Sequence, residues 1–172
     1  MESSKVRVLV VEDFTAFRRF ICSTLFQNAR LQVICESSDG QDAVQKAAEL
    51  RPDLILLDIG LPTLNGLAAA RKILELTPES KIIFVSQESS SDVVQEAFDL
   101  GGWGYVLKTR AARDLRAAVQ AVVEGQPFVG GGLSSPSRNE LGLQPPGNLP
   151  WRAPVENLGQ SSAGATPPEN RD

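Results

Sequence analysis

Between residues 5 and 126, short, mainly apolar runs alternate with stretches in which apolar residues recur every three or four positions. The runs are "KVRVLVV" (5–11), "LQVICES" (31–37), "LILLD" (54–58), "KIIFVS" (81–86) and "GYVLK" (104–108). Their length and their valine, isoleucine and leucine content predict five strands. The intervening stretches, 15–28, 41–50, 66–76, 91–100 and 111–125, predict five helices. Phe17, Phe20, Ile21 and Leu25 share one face of the first helix, with Thr15 as its expected N-cap.

Such alternation needs a parallel sheet, right-handed crossovers and helices on both faces. Residues 5–11, 54–57 and 81–85 are continuous runs rather than alternating in polarity, as strands covered on both sides require. The predicted fold is therefore α/β: a doubly wound five-stranded parallel sheet with strand order 2-1-3-4-5. After Phe128 the chain is rich in proline and glycine, and no apolar helical period lasts more than a turn. The expectation is one domain over 1–128 and a disordered tail over 129–172, with no recognisable output domain. Within that tail, "LPWRAPVENL" (149–158) is a candidate docking peptide.

Composition narrows the function classes. A net charge of -4 and a pI of about 5.0 give no bulk electrostatic reason to bind nucleic acid. The absence of histidine removes imidazole catalysis, most zinc sites and any phosphohistidine role. Cys22 and Cys35 fall in apolar surroundings and read as small buried side chains in a reducing compartment. The chain enters its first strand without a signal peptide, and no apolar run reaches a membrane-span length. A cytoplasmic location without a membrane partner is expected.

Ligands of doubly wound sheets bind beyond the carboxyl ends of the strands, where the strand order reverses. There the sequence sets Glu12 and Asp13 after strand 1, Asp58 after strand 3, Ser86 after strand 4 and Lys108 after strand 5. Three crowded carboxylates repel one another, and a hard divalent cation relieves that cost. The ligand set suits Mg²⁺, with the carbonyl of Gly60 completing the protein's share. Asp58 is then a candidate nucleophile toward a phosphoryl group, whose oxygens the Lys108 ammonium and Ser86 hydroxyl would meet. Gly60 and Pro62 turn the chain off the strand, and Asn65 or Gly66 starts the next helix.

With these residues in view, "VEDF", "LLDIGLPTLNGL", "FVSQ" and "GYVLK" resemble the receiver domain of two-component response regulators, over residues 5 to about 126. The branch most similar is the one whose receivers usually precede a helix-turn-helix domain. The resemblance implies a flavodoxin-like fold, Mg²⁺ at Glu12, Asp13 and Asp58, and Asp58 as phosphoacceptor. It implies that Ser86 and Lys108 contact the phosphoryl group and that Tyr105 is the switch aromatic. A histidine kinase or phosphotransfer protein would be the donor. The output would be a protein target, or a homodimer, through the helix 4–strand 5–helix 5 face.

Several positions depart from the family pattern. Gln87 stands where a small residue is usual, and Glu88 with Gly60 occupies positions that tune acyl-phosphate hydrolysis. Thr109 replaces a common proline after the lysine, which leaves open whether that peptide is cis or trans. Trp103 is either an exposed interface anchor or packs against helix 4 or the tail. Arg110, Arg113 and Arg116 recur at helical spacing, as a solvated face or a docking face.

The resulting reading is a phosphorylation switch, not an enzyme beyond its own phosphorylation and dephosphorylation. An alternative is a DNA-binding transcription regulator with a truncated or atypical output region. An aspartyl phosphatase is a third reading, weakened because Gly60 stands where a second acid is wanted. A flavin module is weakened by acids where a phosphate loop would follow strand 1.

Overall fold

In the computed structural model, residues 4–136 are described. The strands are β1 (Val6–Val11), β2 (Leu31–Ser37), β3 (Leu54–Asp58), β4 (Lys81–Ser86), β5 (Gly104–Leu107) and β6 (Phe128–Val129). The helices are α1 (Thr15–Phe26), α2 (Gly40–Leu50), α3 (Gly66–Leu76), α4 (Ser91–Asp99) and α5 (Ala111–Val123). All strand pairs are parallel and the order is β2-β1-β3-β4-β5-β6. Every residue of β3 is buried, as its unbroken apolar run requires of a central strand.

The sheet separates two apolar layers. Leu9, Val11, Ile55, Leu57 and Phe84 pack with α2, α3 and α4. Val8, Val10, Leu54, Leu56, Ile83 and Val85 face α1 and α5. Alternate residues of one strand thus serve opposite layers, which is why Val8–Val11, Leu54–Leu57 and Ile82–Val85 are apolar without a break. Among the described residues no helix is long and apolar enough to cross a membrane.

Four expectations need correction. The sheet has six strands, because Phe128–Val129 pairs with Gly104–Tyr105 along the open edge of β5. Two residues without alternation carry no readable strand signal; the unpaired donors and acceptors of the β5 edge supply the reason for pairing. The division at 128/129 therefore cuts through β6, and the described chain continues to Pro136. The expectations about residues 137–172, the docking peptide included, lie outside the described residues.

Thr15 is not the cap of α1. Phe14 holds that position and makes no side-chain cap bond. Trp103 is no exposed anchor either: it is 2% exposed and packs in the α1/α5 layer, with the Lys81 ammonium 4.6 Å from its ring centroid. Its aromatic bulk fills that layer, on the sheet face away from α4.

Candidate functional site

Sheet register brings the strand ends level. Val11 pairs with Leu57, so Glu12 emerges beside Asp58 at the β1/β3 switch point. Asp58 pairs with Val85, one residue short of Ser86, and Ser86 pairs with Leu107, one short of Lys108. Lys108 opens a short 3₁₀ turn, Lys108–Arg110, in which no peptide is cis. Thr109 thus follows the lysine on a trans bond.

Asp58 is 4% exposed and held at both oxygens. The Gly60 N–H donates to Oδ1 at 3.1 Å, and the Lys108 ammonium donates to Oδ2 at 2.9 Å. Lys108 Nζ also lies 2.7 Å from Glu12 Oε2. The ammonium thus bridges the two buried acids. The other oxygen of Glu12 accepts the Phe14 N–H at 3.0 Å. The Phe17 ring, centred 5.1 Å from Nζ, closes another side of the ammonium.

Burial pushes Glu12 above the usual carboxylate range, and Lys108 only partly opposes this. Burial also disfavours the charged form of Lys108, but the two acids outweigh it and its pKa is raised. Asp13 is exposed, and carboxylate oxygens of Glu12, Asp13 and Asp58 lie within 4.8 Å of one another. One ammonium against three carboxylates leaves a negative excess in a site where two of the acids are buried. That excess and an all-oxygen donor set fit a hard cation.

The loop after Asp58 is fixed by its own turns. Leu61 N–H and Gly66 N–H both donate to Ile59 O, and Asn65 caps α3 by accepting the Ala68 N–H at 2.9 Å. A Cβ on Gly66 would lie 2.0 Å from the Asp58 carbonyl, so the helix start presses on the strand end as only glycine allows. Thr63 adopts φ 66°, unusual for a β-branched residue. Gly60 itself is exposed, with its N–H committed to Asp58.

Ser86 is buried, and its Oγ accepts the Glu88 N–H at 3.1 Å. Tyr105 is fully buried, in the α2/α3/α4 layer, and donates from its hydroxyl to the Glu88 carbonyl at 2.7 Å. Burial raises its pKa. Gln87 and Glu88 are exposed at the rim. Arg113 and Arg116 are exposed too, whereas Arg110 is half-buried against Asp114 and the Gly131 backbone. Sequence reasoning missed two contacts from α1, Phe17 to Lys108 and Arg18 to the Glu12 carbonyl. Phe17 reads as a core-face residue, and an arginine one helical turn past an acid pair carries no distinctive pattern.

The sequence matches the response regulator receiver domain over residues 8–120. The chain belongs to this family. Response regulator protein VraR of Staphylococcus epidermidis is 35% identical over 121 residues, which is 70% of this chain and 58% of that protein. Transcriptional regulatory protein DegU of Brevibacillus brevis is 28% identical over 129 residues, 75% of this chain and 55% of that protein. The chain thus spans little more than half the length of these curated relatives. Among solved structures, the response regulator domain of Thermotoga maritima CheB is similar with a TM-score of 0.60 and 30% identity. That match covers 70% of this chain and 92% of the CheB domain. The receiver fold, a flavodoxin-like parallel sheet, accounts for the strand order and for the acids at its switch point.

Proposed function

We propose that this receiver is a phosphorylation switch in which Asp58 accepts a phosphoryl group from a histidine kinase or phosphotransfer protein. The observation that carries the reading is the buried Asp58 carboxylate, held by Gly60 and Lys108 beside two further acids. An Asp58 oxygen attacks the phosphorus of a phosphohistidine. The P–N bond breaks, its electron pair returns to the donor imidazole, and that ring takes up a proton. Lys108, freed from the carboxylate oxygen as the new bond forms, turns its charge to the phosphoryl oxygens, and the Ser86 hydroxyl donates to another. Glu12, Asp13 and Asp58, with the Gly60 carbonyl, would hold Mg²⁺, which when bound supplies positive charge to the phosphoryl oxygens.

Recruiting the Ser86 hydroxyl disturbs the contact Ser86 makes with the Glu88 N–H, and Tyr105 holds the same residue from its carbonyl side. Phosphorylation thereby biases the β4–α4 loop and the α4–β5–α5 face, to which a protein target or a second copy binds. Gln87 and Glu88, exposed at the rim, set the lifetime of the acyl phosphate. On this reading the domain acts only on itself. A second reading, DNA-binding regulation, is favoured by the likeness to DegU, a transcriptional regulator by name.

Binding of beryllofluoride, followed by fluorine NMR, tests the site. Bound-state resonances that require both Mg²⁺ and Asp58 are expected. Their absence from the wild-type protein would contradict the assignment.

A further inference from the structure

The link Glu12–Asp13–Phe14 carries two of the acids into a helix that starts without a side-chain cap. Arg18 supports this link from one turn along α1. Its Nη1 donates a 2.8 Å hydrogen bond to the carbonyl of Glu12, the oxygen of the peptide that joins Glu12 to Asp13. Its Nε lies 3.3 Å from Glu36 Oε1 on β2. The side chain is only 20% exposed, so the guanidinium is pinned between the exits of two strands. A planar fork can make both contacts at once, which an ammonium on a flexible stem does poorly.

Two effects of opposite sign follow. A cation hydrogen-bonded to the backbone that carries Glu12 and Asp13 repels an incoming metal ion. A donor that fixes the Glu12–Asp13 peptide also fixes the directions in which both acids leave the backbone, and such support behind the ligands strengthens metal binding. Glu36 offsets the first effect by pairing the guanidinium charge. The same Oε1 also accepts the Cys22 thiol at 3.4 Å. Cys22, raised to about 11 mainly by burial and then by Glu36, stays a neutral thiol and adds no charge there.

We infer that Arg18 is a positioning residue for the acid pair: it acts through the Glu12 carbonyl, with Glu36 neutralising its charge. The inference rests on the proposed cation-dependent phosphoacceptor site. It goes beyond that site in assigning α1 a part in the site's metal affinity.

Calorimetric titration of Mg²⁺ into the full chain tests it, with urea unfolding of each variant alongside. Arg18→Ala is expected to weaken Mg²⁺ binding about tenfold, as loss of support behind metal ligands does. Arg18→Lys should recover part of the affinity, because an ammonium can still donate to the carbonyl. Glu36→Gln should weaken binding less, by leaving the guanidinium charge unpaired. Unchanged or tighter binding in Arg18→Ala, whatever its stability, would overturn the inference, since a bystander charge gives that sign. Should Arg18→Ala not fold, Arg18→Lys binding Mg²⁺ as tightly as wild type would overturn it. A wild-type protein that takes up no Mg²⁺ would overturn both this inference and the proposed site.

Discussion

Tyr105 and Glu88 are joined by a 2.7 Å hydrogen bond from the tyrosine hydroxyl to the main-chain carbonyl. The same Glu88 donates its N–H to Ser86 Oγ, so one rim residue ties a buried ring to a hydroxyl of the site. Tyr105→Phe keeps the buried ring and removes only the donor. It should lose about 1 kcal/mol in urea unfolding, the usual net worth of such a bond. Amide exchange in residues 87–90 should speed up while that of β3 stays unchanged. Unaltered exchange in the loop would show that this bond does not hold it.

Gly66 is where the fold and the site meet. A methyl group there would overlap the Asp58 carbonyl at 2.0 Å, and the helix start or the strand end must move. Gly66→Ala should cost about 1–3 kcal/mol, the range for overpacking. It should also slow Asp58 phosphorylation by displacing the carboxylate. Asn65→Ala, which removes the α3 cap without crowding Asp58, should cost about 1 kcal/mol and leave phosphorylation close to normal. Comparison of the two by denaturation and by phosphorylation rate separates local crowding from loss of helix stability.

At the start of α2, Asp42 sits 2.7 Å from the Lys46 ammonium and accepts the Ser37 hydroxyl at 2.6 Å. These contacts, Lys46 first, hold its carboxyl below the ordinary value. A depressed folded value means that the associated stability is present above the unfolded value, about 3.9, and is lost as pH falls through the folded one. Ser37→Ala weakens that depression. Its deficit against wild type should be steady between about pH 5 and 7 and narrow below about pH 4. Urea titrations at several pH values measure this; a deficit that widens in acid would contradict it.

Much of this was legible in the sequence for physical reasons. Short apolar runs such as Leu54–Leu57, set between helical stretches, read as strands covered on both faces, and an acid at the end of such a run stands out. What escaped was tertiary. Phe128–Val129 is a strand because the β5 edge lies open beside it, not because two residues prefer that state. Trp103 is buried in the α1/α5 layer, beside Gly104, whose α-carbon packs close to Ile83 and to Val122 of α5, whereas its sequence neighbours suggested a loop. Phe17 and Arg18 serve the site through contacts that exist only once α1 lies over the strand ends.

The sixth strand also yields a prediction. Gly130 N–H donates to the Tyr105 carbonyl, Gly131 N–H to Asp114, and Leu133 packs on the apolar layer that holds Tyr105. A chain ending at Pro127 should therefore unfold at lower temperature than one ending at Pro136, and should show faster amide exchange in β5. Equal melting temperatures would mean that β6 contributes nothing to the domain.

The central claim is tested most directly by intact-mass spectrometry after incubation with Mg²⁺ and a small acyl-phosphate donor, beside Asp58→Asn. One added phosphoryl group is expected on the wild-type protein, absent without Mg²⁺ and absent in the variant. An adduct that persists in Asp58→Asn, or a wild-type protein left unmodified by both the small donor and a phosphorylated histidine kinase, would contradict the account.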